Sequence, residues 1–408
     1  MRLVIVTQWF DPEPTIKGVS FARGLVERGY AVEVITGFPN YPTGRVYPGY
    51  RLRLFKRELI DGVVVTRLPL YPSHGASIIG RVANYASFAI SVAVYGLFFM
   101  RRADVIYAYH PPLTVGLASV LIGGIRRVPI VYDIQDLWPD TLSATGMIRS
   151  SVVLSILEAA CRFVYRFVDE IAVLSLGFKK ALVSRGVPED KITVIHNWAD
   201  EQTLRRSPRC ASLVPSKSSA EFLVVYAGNI GKAQGLEAVL DATQYIGDIS
   251  RRVRLMLVGD GIERCRLESL AKERGYAGVE FVDPVPFSEI GPFLARADAL
   301  LVHLSPDPLF EITIPSKTQA YLCIGRPVIM AVGGEAADLI VRSGGGVVAK
   351  PGDPVSIASA ISSLAALSDE RLFEIGARGR RFYDEELGFN RGLDHFAELF
   401  SKSTSSPP

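Results

Sequence analysis

The run EITIPSKTQAY, Glu311 to Tyr321, sets a carboxylate, a lysine and a helix start close together. Pro315 stops whatever precedes it. Ser316 with Gln319 three residues on is the S-x-x-Q pattern of a capping box, so a helix is expected to open at Ser316. The first turn of such a helix offers uncommitted N–H groups and the positive end of a dipole, and Lys317 adds a cation. That combination suits an anion, with phosphate the obvious candidate. Glu311 would repel a phosphate, but a carboxylate accepts hydrogen bonds from sugar hydroxyls. Together the two groups suggest a sugar phosphate. An ordinary capped helix with a solvated lysine fits the same run, so further signals are needed to decide.

Two more signals lie in the same half of the chain. GNIGKAQG, Gly228 to Gly235, has glycines before a helix start, Lys232 as a cation and Asn229 as a neutral donor. The G-K-[ST] ending of a Walker loop is missing. Gly333-Gly334 follows another strand, so three anion or close-approach signals converge on one sheet edge. VGDGIER, residues 258–264, lacks the third glycine of a dinucleotide fingerprint and follows the wrong strand, which removes a dehydrogenase. In the first half, Gly18 ends the loop after the first strand and suits close approach of a ligand, or only a turn. His110 and Asp136 each stand just past a strand. The loop PNYPTGRVYPGYR, residues 39–51, is long, and long ordered loops tend to be functional. Asn40, Tyr41 and Arg45 are its candidates for contact with an acceptor.

These residues need a scaffold, and the chain supplies one. With 408 residues, 49% hydrophobic and 21% charged, it is ample for two core-forming domains. A net charge of +3 excludes the broad electrostatic footprint of a nucleic-acid binder. Cys161, Cys210, Cys265 and Cys323 are far apart with no C-x-x-C, so four free thiols are expected and no zinc site. The first apolar run is too short for a signal peptide and reads as a strand. Short apolar runs alternate with helical patterns from Arg2 to Ile195, with a hairpin turn at Asp61-Gly62, and the pattern restarts at Phe222. Residues 207–220 lose periodicity and gain Ser and Pro, as a linker does. The expected organisation is an α/β N-terminal domain, residues 1–206, a second domain, residues 207–388, and a terminal helix and frayed tail, residues 389–408, the helix either staying with the second domain or crossing back to the first.

The two Rossmann-like halves, the glycine loop with Lys232, VGDG, the spacing from Glu311 to Gln319 and the late Gly333-Gly334 resemble the retaining nucleotide-sugar glycosyltransferases of the GT-B fold, family four. PNYPTG, DIQDLWPD and PSKTQAY more narrowly resemble bacterial L-fucosamine-type transferases of surface-polysaccharide assembly. The resemblance implies two doubly wound domains facing across a cleft. It implies that Lys232 and Lys317, with Asn229 and Ser316, hold the donor diphosphate, and that Gly18 lets the first loop reach it. Glu311, Gln319, Gly333 and Gly334 would meet the donor sugar and nucleotide. His110 matches the family's active-site histidine, and Asp136 would orient the acceptor hydroxyl, giving His110, Asp136 and Glu311 as the catalytic set. Two positions depart: Gln319 stands where the family has its second Glu, and Asn229 where it has an Arg.

The expected reaction is transfer from a UDP-linked sugar, an N-acetylated deoxyhexosamine among the candidates, to a polyprenyl-diphosphate-linked saccharide in O-antigen or capsule-type assembly. No cofactor and no metal is expected, because no D-x-D stands where a cation would bridge the diphosphate. A UDP-sugar 2-epimerase of the same fold and a non-catalytic nucleotide-sugar-binding partner are the alternatives. Residues 82–100 form an apolar stretch of about 28 Å as a helix, with Asn84, Ser87, Ser91 and Tyr95 as a polar stripe. A monotopic helix on the cytoplasmic membrane face is expected, with Phe88, Val92 and Phe98 entering the interface and Arg101 and Arg102 meeting headgroups.

Overall fold

The computed structural model describes residues 1–74, 78–144, 147–148, 150–205, 218, 220–247 and 250–405. Most of the expected linker and Cys210 lie outside these residues. The chain forms two compact units, Met1–His196 with the chain from Gly392 onward, and Asn197–Arg391.

Unit 1 runs β1 (Arg2–Val6), α1 (Val19–Glu27), β2 (Ala31–Gly37), β3 (Lys56–Ile60), β4 (Val63–Leu68), α2 (Ile78–Phe98), β5 (Val105–Tyr109), α3 (Leu113–Arg126), β6 (Ile130–Ile134), α4 (Asp140–Ala144), α5 (Ser151–Phe167), β7 (Glu170–Val173), α6 (Leu176–Ser184) and β8 (Ile192–Val194). The strands lie in the order β3-β4-β2-β1-β5-β6-β7-β8. All pair in parallel except β3 with β4. Asp61 (φ 46°) and Gly62 (φ 82°) form that hairpin's turn, the left-handed pair a two-residue connection requires. The central strands β5 and β6 are buried throughout, as continuous apolar runs in a sheet covered on both faces should be.

Unit 2 runs α7 (Glu201–Leu204), β9 (Glu221–Ala227), α8 (Glu237–Ala242), β10 (Arg252–Val258), α9 (Arg264–Glu273), β11 (Val279–Val282), α10 (Phe287–Leu294), β12 (Ala299–His303), α11 (Pro308–Glu311), α12 (Ser316–Ile324), β13 (Val328–Ala331), α13 (Glu335–Ser343), β14 (Gly346–Val348), α14 (Pro354–Ala365) and α15 (Asp369–Phe382). Its sheet, β11-β10-β9-β12-β13-β14, is wholly parallel. Helix starts follow short polar side chains: Asp200 accepts from Thr203 N at 3.0 Å, and Asp353 from Val355 N at 3.1 Å. The last helix, α16 (Phe389–Ser405), packs on unit 1 beyond Gly392. There Asp394 accepts from Arg28 Nε at 2.9 Å, Lys402 donates to Glu170 at 2.8 Å, and the Phe396 ring lies against Phe21 and Tyr107.

Strand order reverses between β1 and β5 in unit 1, and between β9 and β12 in unit 2. In open α/β sheets ligands bind beyond the carboxyl ends of strands at such switch points. The loops there hold Gly18 and His110 in unit 1, and Asn229, Lys232 and Glu311 in unit 2.

Helix α2 corrects one expectation. Its polar stripe points inward. Asn84 donates to Asn40 Oδ1 at 3.2 Å and to Tyr71 O at 2.7 Å, Ser87 accepts from Tyr71 N at 2.8 Å, and Ser91 donates to Pro69 O at 2.7 Å. Phe88 and Val92 follow Asn84 at intervals of one turn, so they share its face and are 0% exposed. They are core residues and not membrane-facing, whereas Phe98 and the Arg101 and Arg102 side chains are exposed. No helix among the described residues is long and apolar enough to cross a membrane.

Candidate active site

In unit 2, the loops after the neighbouring strands β9, β12 and β13 meet the first turn of α12. Lys317 Nζ donates to the Tyr226 hydroxyl at 2.8 Å and lies 4.4 Å from that ring's centroid. A Cβ at Gly228, which has φ +137°, would lie 2.6 Å from Lys317 Cε, so a side chain there would displace the lysine. Burial alone lowers the ammonium pKa to about 8, and among the described residues no carboxylate ion-pairs with it. A half-buried cation whose one hydrogen bond goes to a neutral phenol retains unmet attraction for an anion.

The glycine loop is held in place around that lysine. Tyr226 donates to Asn229 O at 2.6 Å, and the Tyr321 hydroxyl of α12 accepts from Ala227 N at 3.0 Å. Gln234 Oε1 accepts from Asn229 Nδ2 and from Gly231 N, each at 3.1 Å. His303, at the end of β12, contacts Gln234 O through Nδ1 at 2.6 Å and accepts from Gly352 N through Nε2 at 3.0 Å. Because Gly352 N–H can only donate, Nε2 is the acceptor and the proton sits on Nδ1. Lys232 is exposed on this loop. A side chain at Gly334 (φ +63°) would lie 2.0 Å from the Glu311 carbonyl oxygen, so the glycine pair lets Glu311 pack beside the start of α13. Glu311 itself is exposed.

The capping box is absent. Pro315 is the cap residue, its carbonyl accepting from Thr318 N at 2.8 Å, which moves Ser316 one place into the helix. Gln319 is instead buried, and its Oε1 has no hydrogen-bond partner among the described residues. An unmet acceptor at the position where the resemblance expects a carboxylate is suited to a ligand hydroxyl.

In unit 1, His110 is 2% exposed, with the edges of its ring contacts set by Tyr132 and Trp138, whose centroids lie 5.9 and 5.2 Å away. Burial holds its pKa down to about 3, so the ring is neutral, and Nδ1 lacks a partner among the described residues. Burial raises the Asp136 carboxyl pKa, which strengthens it as a base. Beneath these loops lies a cluster that the sequence reading missed. Lys17 is buried in an ion pair with Asp133, which also accepts from the Tyr107 hydroxyl and from Gln135 Nε2 at 2.6 Å. The available signals were the lysine next to Gly18 and the first aspartate of DIQD.

Two further positions are corrected. The space a side chain would need at Gly18 is filled by Asp11, whose carboxylate lies 2.1 Å from the Cβ position and accepts from Val19 N at 2.7 Å. The glycine therefore admits the loop's own carboxylate, which already occupies the start of α1. Asn40 is buried, its side chain committed to Phe38 O at 3.0 Å and to Asn84. Glu13, also buried, holds this loop by accepting from Asn40 N and Tyr41 N at 2.7 Å each. Tyr41 packs with Trp9 and His74, and Arg45 is exposed.

Residues 19–198 match the family description "Glycosyl transferase 4-like domain", and residues 221–366 match "Glycosyl transferases group 1". The architecture is similar to sucrose-phosphate synthase from Thermosynechococcus elongatus (TM-score 0.72, 16% identity, 100% of each chain). It is also similar to HepE from Anabaena, solved with UDP and glucose (TM-score 0.67, 18% identity, 98% of this chain and 99% of that one). The chain is a glycosyltransferase of the GT-B fold, with one α/β unit matched to each of the two family descriptions. Among individual proteins it is similar to the E. coli K12 protein named as the colanic acid biosynthesis glycosyl transferase WcaI, with 26% identity over 81% of this chain and 83% of that one. It is similar as well to the Pseudomonas aeruginosa glycosyltransferase WbjE, with 24% identity over 73% and 74%.

Proposed function

We propose that this enzyme moves a sugar from a UDP-linked donor to a polyprenyl-diphosphate-linked saccharide during assembly of a surface polysaccharide, with retention of anomeric configuration. The observation that carries the donor side is Lys317, a half-buried cation without a carboxylate partner among the described residues, held at the start of α12 beside the glycine loop. As the sugar leaves, negative charge grows on the diphosphate. Lys317, Lys232 and the N–H groups of the glycine loop stabilise that charge. Gln319 Oε1 accepts from a ribose hydroxyl in place of the family's second carboxylate, and Glu311 accepts from the hydroxyls of the donor sugar. Neutral His110 hydrogen-bonds the transferring sugar and Asp136 orients the acceptor hydroxyl, while the departing phosphate takes its proton. UDP in HepE and the polysaccharide role in WcaI's name support this reading.

A lipid-linked acceptor places the work at the cytoplasmic face of the plasma membrane. The test is a panel of nucleotide sugars titrated into the purified chain, followed by incubation of each binder with bacterial lipid extract. Transfer of label from a UDP-sugar into the lipid phase supports the reading. Epimerisation of the donor without acceptor would assign the chain as an epimerase. Donor binding with no turnover on any lipid extract would leave a binding partner of an assembly complex.

A further inference from the structure

Helix α2 is built inside out. Asn84, Ser87 and Ser91 turn inward to the backbone of residues 69–71 just past β4, and Tyr95 to Glu33 of β2, while the opposite stripe is apolar and bare. Ile90 on that stripe is 64% exposed and Phe98 76%. A soluble helix normally presents the reverse. The bareness continues sideways, because α2 packs along α3 and α3 along α5. Ile125 of α3 and Ile156 of α5 are each 63% exposed. One such residue means little, but an apolar face continued over three adjacent helices marks an interaction surface.

The charges on α2, α3 and the 51–55 segment have one sign, and the acidic side chain of α5, Glu158, is paired with Arg162. The α2 and α3 sequences contain no acidic residue. The segment RLRLF, residues 51–55, is exposed along its whole length, and Phe55 packs near Phe99 at 6.4 Å between centroids, beyond the end of α2. Arg51, Arg53, Arg101, Arg102 and Arg127 are all exposed, and none is ion-paired among the described residues. A groove of about 1280 Å³ at the amino-terminal edge of the strands is lined in part by Arg102 and Arg127. Its two carboxylates are engaged: Asp104 accepts from Arg2 N and Asp169 from Ile130 N, each at 2.7 Å. Arg126 is committed to the end of α2, donating to Gly96 O at 2.7 Å and Met100 O at 2.6 Å.

We propose that the outer face of α2, α3 and α5, with the 51–55 segment, docks on an anionic lipid bilayer. Leu54, Ile90, Phe98 and their neighbours enter the acyl boundary, and the arginines at the rim meet lipid phosphates. A second copy of the chain is the poorer occupant, because a two-fold contact brings these unpaired arginines toward their own kind. The helix lies along the interface and does not cross it, since its inward stripe is fastened to residues 69–71 of the same unit. The inference deepens the lipid-linked part of the function proposed above, but its test needs neither donor nor acceptor.

The full-length chain is floated with vesicles of phosphatidylcholine alone and with vesicles rich in phosphatidylglycerol, at low and high salt. Binding to the anionic vesicles, weakened by salt, is expected. Arg101→Gln with Arg102→Gln should weaken it on the order of 30-fold, taking the usual contribution of a basic residue near an anionic surface. Ile90→Ser with Phe98→Ser should abolish it without moving the thermal midpoint, and Leu54→Ser, in a segment outside the helix, should weaken it independently. Transfer in vitro to a detergent-dispersed acceptor should be unchanged in all three variants. A parent chain that ignores anionic vesicles at low salt overturns the proposal, as do outer-face variants that bind like the parent. A concentration-dependent dimer lost in the same variants would assign the face to a second copy instead.

Discussion

The two units share a doubly wound architecture but distribute charge in opposite ways. Unit 1 buries Lys17 against Asp133, and its α2 and α3 leave an apolar surface with unpaired arginines around it. Among the described residues, unit 2 keeps Lys317 without a carboxylate partner beside its glycine loop and pairs charges over its helices. Arg266 meets Glu237 and Arg274 meets Asp241, each at 2.8 Å, and Arg371 meets Glu374 at 2.5 Å. Such surface pairs stabilise little, but they mark faces kept in water. The contrast teaches that a lysine past a strand end is not by itself a binding group. What matters is whether the fold has already supplied its counter-charge.

The largest effect that would sharpen this contrast is Lys17→Met. It strands the buried Asp133, and breaking a buried pair from one side typically costs about 3–5 kcal/mol. Chemical denaturation should show that loss in unit 1; a change below about 1 kcal/mol would mean the pair is not what holds those loops. Lys317→Ala should leave the fold intact yet lower transfer by about 10² to 10³, the usual effect of removing one group that stabilises developing charge. If its melting temperature falls as far as that of the Lys17 variant, the two lysines do the same job and the comparison breaks.

Asn84→Leu should destabilise by about 1–3 kcal/mol, because buried partners in Gln8 and Asn40 lose their hydrogen bonds. Ile90→Ser, six residues further on and on the bare face, should stay within about 0.5 kcal/mol. Reversed magnitudes in urea titrations would put the inner face outside.

Lys317 also gives a pH signature. Its pKa is about 8 in the fold, below the ordinary 10.5. It therefore loses its charge in the free enzyme as pH rises through about 8. Donor kcat/KM should fall above that pH, approaching tenfold per unit where no other group compensates. The stability sign is opposite. Between pH 8 and 10.5 the unfolded chain holds the proton that the folded chain has released, so this lysine's contribution grows more favourable with pH. A kcat/KM profile flat to pH 10 would show that the charge of Lys317 is not used.

Most of the architecture was legible because parallel strands covered on both faces are continuous apolar runs, and the hairpin at Asp61-Gly62 announced itself through its turn residues. Short α10 was not recognised, since Pro292 lies inside its eight residues, nor was β14, whose three residues are too few to show a period; α13 was passed over although its nine residues carry a clear apolar face. On the donor side Lys317 and the glycine loop could be read from local chemistry. Tyr226 could not, because its role depends on a lysine that α12 brings to its hydroxyl from ninety-one residues away in sequence. Periodicity showed that α2 has two faces but not which one is buried. Its polar groups are small enough to satisfy the backbone of residues 69–71, and that decided the matter in favour of burying them. The Lys17–Asp133 pair, split across the sequence, likewise becomes visible only when the strands are set side by side.

The most direct test of the donor site is a parallel calorimetric titration of the parent chain and Lys317→Met with uridine and with UDP. If Lys317 is held without a counter-charge in order to meet a diphosphate, the variant binds uridine as the parent does and loses most of its advantage for UDP. Equal affinity of parent and variant for UDP, or an equal loss for both ligands, would contradict the account and return Lys317 to the scaffold.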